Sequence, residues 1–224
     1  MASDPSRDTL QQIPLEAQEM LARFVTLQFR YQAALREVRT KLEILDSEFS
    51  SKHRRNPIHH MQSRLKSVPS IIEKLHRKGL DVNITNATEH LMDIAGIRVV
   101  CSYIDDIYTI AELLVHQDDI RVIKRRDYIQ QPKENGYRSL HLVLEVPVFL
   151  QDGKTLMPVE VQIRTIAMDL WASLEHSLRY KGLQAIPPDI SEELHLAAMD
   201  IQSLDERMQS IHNRVERLSE KKAE

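Results

Sequence analysis

From Leu15 to Phe49, apolar residues recur at Met20, Phe24, Leu27, Tyr31, Leu35, Val38, Leu42, Leu45 and Phe49 in alternating steps of three and four. That is the spacing of one helix face, and it predicts a single long helix. The polar run SSKHRRNP follows, and its proline disfavours continuation. The segment SVPSIIEKLHRKG predicts a short helix entered near Pro69 and stopped by Gly79, with Ile71, Ile72 and Leu75 turned inward. The period then changes to two. AGIRVVCSY, IRVIKRRDY, SLHLVLEVPV and LMPVEVQIRT predict strands, with the helical IDDIYTIAELLVHQ between the first pair. The last two strands are joined by the short turn LQDGKT, which predicts an antiparallel hairpin. The helix between the first two adds a parallel or mixed element. The class is α+β: a mixed β-sheet with packed helices and helical N- and C-terminal extensions.

The last segment, from about Pro188, has apolar positions at Ile190, Leu194, Ala197, Ile201, Leu204, Met208, Ile211, Val215 and Leu218. These steps form a heptad seam, which needs a partner. Two readings fit: packing on the first long helix of the same chain, or self-association. The expected boundaries are an extension over 1–55, a domain over 56–182 and a second extension over 183–224.

Composition changes this picture little. The 224 residues are 42% hydrophobic and 28% charged with a formal net charge of -3, so bulk charge does not point to nucleic acid. The single cysteine, Cys101, excludes an internal disulfide and a CxxC-type metal site and favours a reducing compartment. The first residues do not read as a secretory leader and no stretch reads as a membrane span, so the expected location is the cytoplasm.

Alternation along the strands sorts side chains onto two faces. Ile97, Val99 and Cys101 oppose Arg98. Leu140, Leu142, Leu144 and Val146 oppose His141 and Glu145. Val159, Val161 and Ile163 oppose Glu160, Gln162 and Arg164. A solvated outer face explains the alternation, but two arginines, a histidine, a glutamine and a carboxylate are types suited to phosphate, ribose and base recognition. Asp93, just before the first of these strands, can approach Glu160 if the strands are neighbours, and two carboxylates suit Mg²⁺. Taken alone, Asp93 reads better as a plain helix-to-strand turn residue.

The short helix adds cations. Lys66, Ser70 and Lys74 are spaced by four, with Arg77 three further on and Arg64 just upstream. A solvated face accounts for them, and a polyphosphate would relieve their mutual repulsion. In KENGYRSLHLVLEV, Gly136 permits a tight turn, Tyr137 offers a flat ring to a purine, and Lys133 and Arg138 can meet phosphates. A turn whose Tyr137 packs on the core is the alternative.

Taken together, RLKSVPSIIEKLHRKG, DIAGIRVVCSYIDDIY, RDYIQQPKENGYRSLHLVLEV and VEVQIRTIAMDLWASLEHSLRYK resemble the RelA/SpoT-type synthetase domain, and specifically the stand-alone small alarmone synthetases. The likeness runs from about Asn56 to Lys181. It implies a nucleotidyltransferase-like fold that transfers the β,γ-pyrophosphate of ATP to the ribose 3′-hydroxyl of GDP or GTP. The products are AMP and ppGpp or pppGpp, in stringent-response signalling. By that likeness Arg64 and Arg98 hold adenine from either side, while Lys66, Ser70, Lys74 and Arg77 face the ATP phosphates. Asp93 and Glu160 hold Mg²⁺, with Glu160 also the base toward the 3′-hydroxyl. Tyr137 stacks on guanine, assisted by Lys133, Arg126, His141 and Gln162. Ser63 stands where relatives often have Gly, and Asp169 where many have Asn.

The resemblance also implies a homotetramer, with alarmone as a ligand of its central cleft. Long members of the family add a hydrolase region with an HDxxED signature. No such run occurs in this sequence, so synthesis without alarmone hydrolysis is expected; HQDD at His116 to Asp119 is a poor substitute. A different class of function also fits the loop and the helical ends: a regulatory module that binds guanine nucleotides or single-stranded RNA without turnover.

Overall fold

In a computed structural model, residues 15–53, 55–180 and 187–221 are described, as six helices and five strands. The order is α1 (Leu15–His53), β1 (Ile58–Leu65), α2 (Val68–Arg77), α3 (Ile84–His90), β2 (Ala95–Cys101), α4 (Ile104–Val115), β3 (Arg121–Asp127), β4 (Leu140–Leu150), β5 (Gly153–Thr165), α5 (Ile166–Tyr180) and α6 (Pro188–Glu220).

The strands form one mixed sheet in the order β1-β2-β5-β4-β3. β4 and β5 make the expected hairpin, in register from Leu140↔Ile163 to Leu150↔Gly153. The sheet is mixed because β2 runs parallel to β5, with Gly96 opposite Glu160. A parallel neighbour cannot come from a short turn, so the sheet inserts β2 beside β5 at its middle. This makes Asp93 and Glu160 neighbours, although 67 positions separate them in the chain.

The long N-terminal helix lies across the apolar face of the sheet. Tyr31, Leu35, Val38, Leu42 and Leu45 are buried, as their spacing predicts, and pack with α4 against Ile97, Val99, Leu142, Leu144, Val161 and Ile163. Asp46 near the end of α1 accepts hydrogen bonds from the Ile58 backbone N–H at 3.0 Å and from Asn56 Nδ2 at 2.8 Å, fixing where β1 begins. The short helix α2 has Ser67 as its N-cap and ends at Gly79, whose φ of 69° lies in the left-handed region.

Two elements depart from the sequence expectation. IHHMQSRL is a strand: β1 is an edge strand paired only with β2, half of its side chains stay exposed, and its composition carries no clear apolar alternation. The seven-residue α3, capped by Asn83, is too short for periodicity to reveal. The C-terminal helix departs in another way. α6 packs chiefly on α5 and α4 rather than on α1, with Ala198 buried in place of Ala197. Leu204, Met208, Ile211, Val215 and Leu218 remain exposed. Among the described residues no helix is long and apolar enough to cross a membrane.

Candidate functional site

Register converts the polar sides of the strands into a single surface. Gln62, Arg98, Gln162, His141 and Arg126 stand opposite one another across all five strands, forming one row. In the next row Arg64 pairs with Gly96 and Gly96 with Glu160. A cleft of about 240 Å³ opens over this face, lined by Lys74, Lys78, His90, Met92, Asp93, Lys124, Arg126, His141, Val143 and Glu160. Both carboxylates thus share a cavity with six cationic or imidazole side chains flanking them, the arrangement that polyphosphate chemistry requires.

At one end of the cleft Asp93 Oδ2 accepts hydrogen bonds from Lys66 Nζ at 2.8 Å and Lys74 Nζ at 2.6 Å. Burial alone would raise the Asp93 pKa, but the two ammonium groups outweigh it and hold the carboxyl below its ordinary value. Its second oxygen, Oδ1, is buried without a hydrogen-bond partner. Glu160 is ionised for a related reason. Burial opposes its charge, yet the His141 ring, with Nδ1 at 3.4 Å, and Gln162 Nε2, donating at 2.9 Å, bring its pKa down. Two ionised carboxylates in electrostatic contact, one with a bare buried oxygen, are a hard-oxygen donor set that fits Mg²⁺. Among the described residues no group of three or more His, Cys, Asp or Glu is arranged to hold a metal, so substrate phosphates or water would have to complete its shell.

Arg64 and Arg98 lie on the same face, with Gly96 between them. A Cβ on Gly96 would stand 4.0 Å from Arg64 Cγ, an ordinary contact, so the glycine leaves the surface beside the Arg64 side chain bare. Arg98 Nη1 is 3.4 Å from Asp169 Oδ1, which is also 3.4 Å from Arg164 Nη1. Asp169 therefore joins the two arginines. Arg64 also borders a separate cavity of about 320 Å³ between α1 and β1, where Ser63 points away from the cleft with its hydroxyl unpartnered.

Beyond Arg126 and His141, which line the other end of the cleft, the adjoining surface is aromatic. Lys133 Nζ sits 4.6 Å from the Tyr137 ring centroid and 4.7 Å from that of Tyr128. The Tyr137 hydroxyl meets His141 Nε2 at 2.8 Å and accepts from Arg164 Nη2 at 3.2 Å. Arg126 Nη1 donates to the Tyr128 hydroxyl at 3.1 Å. Burial lifts the Tyr137 pKa above its ordinary value despite the Arg164 charge. This partly buried ring also packs with Leu194 and Ile201 around Trp171, Ala172 and Ala198, so its edge serves the core while a cation covers its face.

The structure thus gathers Asp93, Glu160, Lys66, Lys74, Arg98, His141, Gln162, Arg126, Lys133 and Tyr137 on one face, and it adjusts four expectations. Lys66 lies in the connection after β1, outside the helix whose face it was expected to share. Ser70 is in the first turn of α2, its hydroxyl 2.9 Å from that of Ser67. Arg77 is exposed and does not line the cleft; the spacing of four continues instead at Lys78, which does. Arg138 is buried, and its charge acts on Tyr108 of α4 and Asp205 of α6, away from the cleft. Sequence reasoning missed Lys78, Lys124, Tyr128 and the organising role of Arg164. For Lys78 the signal was present in the spacing. His116 and Asp119 serve local structure: His116 Nδ1 lies 2.7 Å from the Glu112 carbonyl and Asp119 pairs with Lys41 at 2.8 Å.

A family model described as "Region found in RelA / SpoT proteins" matches residues 63–185. The chain is 46% identical over 186 residues to the GTP pyrophosphokinase YwaC of Bacillus subtilis (strain 168), covering 83% of this chain and 89% of that protein. Among solved structures it is similar to small alarmone synthetase 1 from Bacillus subtilis bound to its product pppGpp. The TM-score is 0.79 at 37% identity, over 86% of this chain and 98% of that one. The same synthetase bound to AMPCPP matches with a TM-score of 0.73 at 33% identity, over 88% and 99% of the two chains.

Proposed function

The chain belongs to the RelA/SpoT family, and from that premise we propose that it is a (p)ppGpp synthetase. It transfers the β,γ-pyrophosphate of ATP to the 3′-hydroxyl of GDP or GTP. The observation that carries this reading is the pairing of Asp93 and Glu160 with a ring of cations in one cleft. A relative bound to pppGpp and AMPCPP supports nucleotides as the ligands of that cleft.

Adenine enters between Arg64 and Arg98 over the bare Gly96, and the ATP phosphates extend toward Lys66, Lys74 and Lys78. Lys66 and Lys74 now neutralise Asp93; phosphates compete for them and free the carboxylate. Asp93 and Glu160 would hold Mg²⁺, which when bound offsets the phosphate charge. The acceptor base stacks on Tyr137, displacing the Lys133 ammonium from the ring toward the acceptor phosphates, with Arg126, His141 and Gln162 nearby. Glu160 accepts the hydrogen bond of the 3′-hydroxyl and aligns its oxygen with the β-phosphorus. The new O–P bond forms as the bond from that phosphorus to the α,β-bridging oxygen breaks. AMP leaves, and the hydroxyl proton passes to the carboxylate. Arg138 is assigned to the support of α6 rather than to phosphate.

The enzyme works in the cytoplasm, where its nucleotide substrates are held, and it assembles as a homo-oligomer, with a tetramer proposed. The exposed Leu204, Met208, Ile211, Val215 and Leu218 of α6, with Leu170, Leu174 and Leu178 of α5, supply unpartnered apolar faces for it. The test of function is product analysis with γ-labelled ATP, Mg²⁺ and either GDP or GTP. Label in ppGpp or pppGpp with matching AMP is expected. Binding of both nucleotides without any such product would favour a non-catalytic binding module.

A further inference from the structure

The segment matched to the family ends at residue 185, yet the turn at the acceptor end of the cleft rests on α6, beyond it. The turn is closed by the Gly136 N–H donating to the Lys133 carbonyl at 2.8 Å and the Lys133 N–H donating to the Tyr137 carbonyl at 3.2 Å. Gly136 has φ +86°, and a Cβ built on it would lie 2.4 Å from Ala198 Cβ and 3.6 Å from His195 Nδ1. Carbon atoms do not approach to 2.4 Å, so the turn sits where it does because both surfaces are minimal: bare backbone on one side, a single methyl on the other.

Other contacts hold the two halves of this joint still. Trp171 Nε1 of α5 donates to the Leu194 carbonyl of α6 at 2.9 Å, and Asn135 Nδ2 of the turn donates to Glu175 Oε1 of α5 at 3.2 Å. Lower on α6, buried Asp205 accepts from the Thr165 hydroxyl at 2.7 Å, and that hydroxyl accepts from the Met168 N–H at 3.1 Å. The helix is thereby bonded to the junction of β5 and α5. With α6 anchored at two heights, the depth of the turn is set at Ala198.

We propose that Ala198 is a positioning residue for the acceptor nucleotide: its side-chain size fixes how far the 133–137 turn sinks onto α6, and hence where Tyr137 and Lys133 meet the base and phosphates. This rests on the reading of that turn as the acceptor site. Side chains larger than methyl lift the turn by a fraction of an ångström to about 1 Å, a misplacement that can cost on the order of 100-fold in a site of this kind. The adenine and ATP-phosphate groups on β1, α2 and β2 do not touch this joint; their one described link to it runs from Arg98 through Asp169 and Arg164 to the Tyr137 hydroxyl, so the donor side should feel the change less.

The experiment uses the full chain with Ala198→Ser, Ala198→Val and, as a control one residue away on the exposed side of α6, Ala197→Val. KM is measured separately for GDP and ATP, GDP Kd by calorimetry, and Tm for every variant. The GDP KM and Kd are expected to rise about tenfold or more for Ala198→Val and less for Ala198→Ser, with the ATP KM within about twofold of the parent. Ala197→Val should match the parent. Loss of packing alone would lower Tm without separating the two substrates, so GDP and ATP values that rise in parallel, or an unchanged GDP Kd in folded variants, would overturn the proposal. If Ala198→Val does not fold, Ala198→Ser carries the same decision. A parent protein that makes no product defeats the synthetase reading instead, and the GDP Kd series then still decides the role of Ala198.

Discussion

The two ends of the cleft hold their cations in different ways. At the end proposed for ATP, the donor end, Lys66 and Lys74 are paired with one carboxylate, Asp93, through hydrogen bonds of 2.8 and 2.6 Å. At the end proposed for the guanine nucleotide, the acceptor end, Lys133 rests between two tyrosine rings, and Tyr137 is fixed by His141, Arg164 and the packing of α5 and α6. The donor end is an ion-pair store into which phosphates can exchange. The acceptor end is a shaped surface whose position depends on distant helices. Charge changes should therefore register on the donor side, and volume changes on the acceptor side.

The largest effect lies where the two ends meet. Glu160→Gln removes the ionised oxygen held by His141 and Gln162 while keeping its shape, and kcat is expected to fall about 10²- to 10⁴-fold with Tm nearly unchanged. Near-normal turnover in that variant would remove Glu160 from the chemistry and leave the comparison without a centre.

Next come two substitutions that should separate the ends. Tyr137→Ala deletes the stacking surface, and alanine replacement of such a platform costs about 1–3 kcal/mol per base. The KM for GDP or GTP should thus rise roughly 5- to 150-fold, with the ATP KM little changed. Lys74→Ala should do the reverse, raising the ATP KM about tenfold or more through loss of a charge-assisted hydrogen bond. Equal effects of either variant on both substrates would mean that the cleft responds as one unit.

The same division explains what could be read from the chain. The donor end lies within one stretch, from Arg64 to Arg98, whose residues sit on adjacent elements, so spacing and strand alternation already grouped them. Alternation also identified His141, Glu160 and Gln162 as one face, because a strand's period is fixed by its backbone. The sheet order was not readable, since β2 beside β5 is a long-range pairing with no local signal. β1 was missed because an exposed edge strand needs no apolar alternation, and a histidine pair with a glutamine reads as a break. Arg138 was assigned to phosphates by its place in a polar loop. Its burial near Asp205 depends on α6, with Asp205 lying 67 positions later in the chain. The acceptor end is a tertiary construction, and its supports, Arg164, Trp171 and Ala198, read in isolation as an ordinary strand or helix residue.

The smallest effect tests the ion-pair store directly. The pKa of Asp93 is lower in the folded chain than in the unfolded one because Lys66 and Lys74 outweigh its burial. A depressed carboxyl stabilises the fold at pH values above its unfolded pKa of about 3.9 and loses that contribution as pH falls through the folded value. In the absence of nucleotide and metal, Asp93→Asn should therefore lower stability by on the order of 1 kcal/mol at pH 7. The difference from the parent should vanish in acid. Tyr137→Phe gives the contrasting case. The phenol of Tyr137 titrates above its ordinary value of 10.0, so it stays neutral from pH 4 to 8, and losing its two hydrogen bonds should cost about 1 kcal/mol without that acid-side convergence. Denaturant titrations of the parent and both variants from pH 8 down to well below the unfolded carboxyl value of about 3.9 measure the two slopes. If the Asp93→Asn difference persists in acid, the lysines hold Asp93 by packing rather than by charge, and the donor end is as much a matter of shape as the acceptor end.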